Sequence, residues 1–252
     1  MGDKAILIDT TKCTACRGCQ VACKNWNDLP AENTSFFGGP GYQNPKDLSS
    51  ITFTLVKFFW SGRRGADVDA YGNWQFLKYG CMHCLNPRCK KVCDTLYKAI
   101  YQDTDGFVQI NQGICQAANC NACIAGCPFG VPKSNGQSVL KCNACISRRG
   151  YSYPDTLRKD PVSGNPAASS WLIGPELAPA CVSTCPAGAL KYGDRSDIIA
   201  LATARVADPK VRAKFPEVNV YGDTGPFGGL RVISILTRKP GFYSLPPKSA
   251  KY

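Results

Sequence analysis

Cys13-Thr14-Ala15-Cys16-Arg17-Gly18-Cys19-Gln20-Val21-Ala22-Cys23 is the stretch from which the fold can be read. Two, two and three residues separate its four cysteines. Three more sets of four follow. One is Cys81, Cys84, Cys89 and Cys93, and the next is Cys115, Cys120, Cys123 and Cys127. The last is split: Cys142 and Cys145 lie far in sequence from Cys181 and Cys185. All sixteen cysteines of the chain fall in these sets.

A cubane iron–sulfur cluster takes four thiolates in a tetrahedral arrangement. In the ferredoxin-type run, three cysteines at two-residue spacing wrap one cluster. The fourth sits on a following helix and reaches a second cluster. Applied here, that crossing rule groups Cys13, Cys16 and Cys19 with Cys185, and Cys142, Cys145 and Cys181 with Cys23. It also groups Cys81, Cys84 and Cys89 with Cys127, and Cys115, Cys120 and Cys123 with Cys93. Each cysteine is used once, so four [4Fe–4S] clusters with sixteen cysteine ligands are expected.

Cys127 and Cys185 precede prolines, as the run expects, whereas Cys23 and Cys93 precede Lys24 and Asp94. The wider gaps Cys84–Cys89 and Cys115–Cys120 point to larger loops and different cluster surroundings. Structural zinc is the bland alternative. It favours separated cysteine pairs over four cysteines within eleven residues. Disulfides fit poorly too, since neighbouring cysteines strain a mutual bridge and Met1–Asp9 carries no export signal.

Between the cysteines the signals are short. Strands are expected at Lys4–Ile8, Ile51–Trp60, Trp74–Tyr79, Ala189–Tyr192 and Leu230–Leu236, with a hairpin bending at Asp105-Gly106. Helices are expected at Val21–Trp26 and Ser196–Ala207, with Pro209 beyond the end of the second. Leu29–Ser50, Ser61–Asp69 and Ile146–Ala180 read as irregular, and Pro240–Tyr252 as a tail. The expected class is α+β: two nested ferredoxin-like modules with short elements and long loops. An inner two-cluster unit, residues 74–132, is inserted into an outer one, residues 1–73 and 133–252, that carries loop insertions and a C-terminal helix and strand.

The chain has 252 residues and is 44% apolar, enough for a core. Its formal charge of +12 first suggests nucleic acid. Four cubane sites at about −2 each would leave only roughly +4, and there is no run of five Lys/Arg, so no nucleic-acid partner is expected. No apolar stretch of spanning length occurs. Neither a nucleotide-binding glycine motif nor a hydrolase set is present, so substrate chemistry is expected on a partner chain rather than here. His83, the only histidine, is expected to pack rather than to tune a cluster. Arg17, Lys24, Arg88, Lys90, Lys91 and Lys141 flank cysteines, where cations can raise cluster potentials or simply be solvated. Trp26, Trp60, Trp74 and Trp171 are expected as core or subunit contacts.

With four cysteine sets in this order, nearly the whole chain resembles the electron-transfer (beta) subunits of molybdenum- or tungsten-pterin oxidoreductases. The segment Cys13 to Thr34, CTACRGCQVACKNWNDLPAENT, and Leu236-Thr-Arg-Lys-Pro-Gly-Phe-Tyr243 are most similar to soluble formate dehydrogenase beta subunits. The resemblance implies a Mo/W-bis-pterin catalytic partner that oxidises formate or reduces CO2. It implies that electrons come in at the Cys13, Cys16, Cys19 and Cys185 cluster and leave to a cytochrome, ferredoxin or further redox subunit. It also implies a periplasmic location by co-export with the catalytic partner, with the cytoplasm as alternative. Service to a polysulfide, tetrathionate or sulfoxide enzyme, or life as a free polyferredoxin, are the competing functions.

Overall fold

The computed structural model describes residues 2–35, 42–60, 74–149 and 178–249. Along the first part run β1 (Lys4–Asp9), α1 (Gly18–Trp26), β2 (Leu55–Trp60), β3 (Trp74–Tyr79), α2 (Arg88–Asp94), β4 (Ile100–Gln102), β5 (Val108–Ile110) and α3 (Ala122–Ala125). The rest supplies β6 (Lys133–Ser134), β7 (Val139–Leu140), α4 (Ala180–Ser183), β8 (Leu190–Asp194), α5 (Arg195–Ala207), α6 (Pro209–Lys214), β9 (Asn219–Tyr221) and β10 (Val232–Leu236). Short strands and helices joined by long loops make a mixed helix and strand fold. Among the described residues no helix is long and apolar enough to cross a membrane.

The largest sheet has the order β8-β1-β10-β9. β1 runs parallel to β10, with Ile6 opposite Val232, and β8 and β9 pair antiparallel at the edges. Parallel pairing suits strands covered on both faces, and Ala5–Ile8 is buried throughout. Ala5, Leu7, Ile233 and Ile235 face α5, where Ile198 and Ala202 meet them from one helix face. Ile8, Val232 and Leu236 face the cysteine loops instead. Each such aliphatic side chain contributes roughly 1.5–3 kcal/mol on burial. This sheet therefore fixes the segments before Cys13 and after Cys185 in one register.

Asp197 in the first turn of α5 and Arg205 in its last both favour the helix dipole. Pro209 does not merely follow that helix, as the sequence suggests. It opens α6, where a first-turn proline loses no hydrogen bond, and Asp208 caps it by accepting from the Lys210 amide at 2.9 Å.

α1 packs on α4, and α2 on α3. α1 begins at Gly18 rather than Val21, so Cys19 and Cys23 share one helix face a turn apart. β2 begins at Leu55, after an isolated Ser49–Thr52 bridge. It pairs antiparallel with β3, the strand that the sequence reading sets at the head of the inner unit. Phe58 lies opposite Phe76 and Trp60 opposite Trp74. Trp26, Trp60 and Trp74 are half-buried rather than in the core. Trp171, the expected turn at Ser61–Asp69 and most of the loop at Ile146–Ala180 lie outside the described residues. The expected C-terminal tail instead forms a 3-10 turn at Pro240–Tyr243. Tyr243 is buried completely there, its hydroxyl 2.7 Å from that of Thr237.

Candidate metal centres

Three cysteine loops share one backbone device. The residue before the second cysteine, Ala15, His83 or Ala144, is left-handed, with φ of 55°, 46° and 51°. Its amide donates to the sulfur of the loop's first cysteine, Cys13, Cys81 or Cys142. Such turned amides create a concavity suited to an anion. In the remaining loop the Val139 amide of β7 donates to Cys115 Sγ at 3.4 Å.

The structure brings the sixteen thiols together in four groups. Cys13, Cys16, Cys19 and Cys185 line a partly open cavity of about 400 Å³, the first cage. Cys145 has Cys181, Cys23 and Cys142 as its charge neighbours, the second cage. Cys84 has Cys81, Cys89 and Cys127, the third cage. Cys93, Cys115, Cys120 and Cys123 line another cavity, of about 350 Å³, the fourth cage. The cages form a row. Cys19 of the first feels Cys181 of the second, Cys81 of the third feels Cys142 of the second, and Cys89 of the third feels Cys123 of the fourth.

The helix pairs explain the grouping. α1 carries Cys19 to the first cage and Cys23 to the second, while Cys181 on α4 and Cys185 just beyond it do the reverse. α2 with Cys89 and Cys93, and α3 with Cys123 and the following Cys127, repeat this exchange for the third and fourth cages.

A polynuclear cluster fits these cages. All sixteen thiols are unbridged. Among the described residues no three His, Cys, Asp or Glu side chains converge as a single ion would require. Burial is the main cause that pushes the thiols up: Cys19, Cys23 and Cys89 to about 12, and Cys123 to about 11. Metal-free cages therefore hold protons, which a metal must displace. Asn27 Nδ2, 3.7 Å from Cys23 Sγ, and the Thr54 side chain add donors to the second cage.

Of the flanking cations, Lys141 is buried, correcting the solvated reading; its ammonium donates to the carbonyls of Val108 and Cys142. The others hold loops or face solvent. Arg17 Nη2 donates to Tyr42 O at 2.8 Å and Lys24 Nζ to Pro30 O and Ile51 O at 2.8 Å, while Lys90 pairs with Asp94 at 2.5 Å. Arg88 and Lys91 are exposed. His83 is fully buried, edge-on to Phe107, and its Nδ1 accepts the Val108 amide at 3.0 Å. Burial first, then Lys141, Arg149, Lys78 and Arg231, hold its pKa well below the usual histidine range, so the ring is neutral.

Two features escape the sequence reading. Lys78 on β3 is buried between the first two cages; a lysine inside the apolar strand Trp74–Tyr79 was the available signal. Arg149 is buried against Asp103 and Asp105 of the β4–β5 bend, a long-range pairing that no spacing announces.

Residues 72–156 match the family described as a 4Fe-4S dicluster domain. Over 98% of its length the chain is 36% identical to the nitrate-inducible formate dehydrogenase iron-sulfur subunit of Escherichia coli, covering 73% of that protein. It is 32% identical to the formate dehydrogenase subunit beta of Megalodesulfovibrio gigas, over 95% of this chain and 96% of the relative. Similarity falls to 26% against a component of the anaerobic dimethyl sulfoxide reductase of Haemophilus influenzae, over 88% of this chain and 94% of the relative.

Proposed function

Because the chain belongs to the family of formate dehydrogenase iron–sulfur (beta) subunits, we propose that its four cages hold four [4Fe–4S] clusters and carry electrons between a formate-converting catalytic subunit and a downstream acceptor. The chain is an electron-transfer component of an oxidoreductase, not the chain that bears the substrate site. The clusters supply one-electron redox chemistry at low reorganisation. This chain's residues hold them in a fixed order, donate amides to their sulfurs and exclude water from the middle of the row.

The observation that carries the proposal is the row of four four-thiol cages, each neighbouring the next. The sixteen cysteines are the ligands in this reading, grouped as the cages are. Residues 74–132 form the inner unit, and 1–73 with 133–252 the outer one. Electrons come in at the first cage, where Cys16 is exposed, and leave from the fourth. The catalytic partner carries a molybdenum- or tungsten-bis-pterin site. A formate enzyme is favoured over a sulfoxide enzyme by the identities, 32–36% against 26%.

Anaerobic co-purification tests this. A large pterin- and Mo- or W-containing chain that reduces these clusters with formate is expected. Reduction by a sulfur-compound couple and not by formate would move the assignment to the other branch, and a free chain with no large partner would make it a polyferredoxin.

A further inference from the structure

Lys78 is 5% exposed, yet it bears a side chain that rarely tolerates burial unpaired. β3 places it opposite Val56, and the two residues line the first cage's cavity with Cys13, Cys16, Cys19 and Cys185. The ionisable groups that dominate its surroundings are all thiols: Cys181 and Cys142 of the second cage, Cys19 of the first and Cys23 of the second. Cys19 and Cys23 lie one turn apart on one face of α1, so a single ammonium can serve both cages. Lys57, also in this hairpin, shows the ordinary alternative: it pairs with Asp47 at 3.1 Å near the surface.

A buried cation needs a buried anion. Lys78 has no carboxylate among its main electrostatic neighbours, which are cage thiols. An oxidised cubane with four thiolates carries about −2, and the reduced one about −3. A fixed positive charge between two such sites favours the extra electron on either.

Resting on the cluster reading above, we propose that Lys78 is the shared counter-charge of the first two cages and raises the reduction potential of both clusters they hold. With clusters in place the two anionic sites on either side supply the counter-charge that a buried ammonium needs. The step concerned is one electron passing from one cluster to the next. One site is oxidised as its neighbour is reduced, and no proton moves.

The test is a redox titration by electron paramagnetic resonance of the anaerobically purified full chain, as wild type, K78M and K78R. Iron is counted in each sample, and signals are assigned with C16S and C145S. K78M should lower the potentials of the first two clusters by about tenfold in redox equilibrium, about 59 mV for one electron. K78R should restore them. The fourth cluster, whose Cys123 answers mainly to burial and its own cage, should not move. Unchanged potentials in iron-replete K78M overturn the proposal, as does K78R behaving like K78M. If K78M loses iron, K78Q takes its place. Iron loss in both neutral variants, with retention in K78R, makes Lys78 an assembly residue and also overturns it. Iron far below about sixteen in the wild type brings down the cluster reading itself, a distinct failure.

Discussion

Replacing Arg149 by methionine should cost more stability than any single cage-flanking cation. The guanidinium is fully buried, as are its partners Asp103 and Asp105, at 4% and 3% side-chain exposure. Nη2 meets Asp103 at 2.6 Å, Nη1 meets Asp105, and Nε donates to Ala144 O at 2.9 Å. The ring of Phe107 lies 4.5 Å beneath the guanidinium. Methionine fills the volume but leaves two carboxylates buried without their cation. Breaking a buried pair in this way costs about 3–5 kcal/mol. Asp103 keeps the amides of Asp105 and Phe107 and the Gln109 side chain, so the lower half of that range is expected. At about 2–4 °C per kcal/mol for a chain of this size, the melting midpoint should fall by roughly 6–16 °C. The contact also ties the β4–β5 bend to the segment after Cys145, so the second cage should lose iron first on heating. Anaerobic circular-dichroism melts measure the drop. Adding D103N and D105N to R149M should recover part of it. A variant within about 1 kcal/mol of wild type, or no recovery in the triple variant, would show that the buried charges do not set this cost.

Cys185→Ser and Cys16→Ser should perturb the same paramagnetic signal, and Cys23→Ser a different one; separate signals for the first two would break the exchange between α1 and α4. Gly106→Ala should cost about 1–3 kcal/mol, because Gly106 has φ +83° and a Cβ there collides with the Arg231 guanidinium that pairs with Asp3. Equal denaturation midpoints would contradict this. Acid should strip the clusters. Thiols whose pKa is raised to about 11–12 hold protons more tightly than ordinary cysteines, so protons compete better with iron as pH falls. Visible absorbance followed from pH 8 to 5 should bleach faster at each step down, and a pH-independent rate would count against it.

Local spacing carried most of this fold. The cysteine runs announce the loops, and the short strand expected at Trp74–Tyr79 and the helical period in Ser196–Ala207 both appear as elements. What spacing could not show depends on distant partners. β9 and the Pro240–Tyr243 turn are stabilised by Leu236, Thr237 and Phe59, far away or across a proline. Pro209 reads equally as a stop or a start until Asp208 is seen to cap α6. The cage-flanking lysines look alike in sequence, yet Lys141 is buried while Lys91 is exposed, because burial follows the sheet and helix packing rather than the neighbouring residue. Lys78 escaped for the same reason: its role depends on two cages whose cysteines come from both ends of the chain.

A count of iron and acid-labile sulfide on the anaerobically purified chain decides whether the four cages hold four cubanes. About sixteen of each per chain are predicted, four iron and four sulfide for every four-thiol cage. About eight iron, or roughly four zinc with little sulfide, would contradict it.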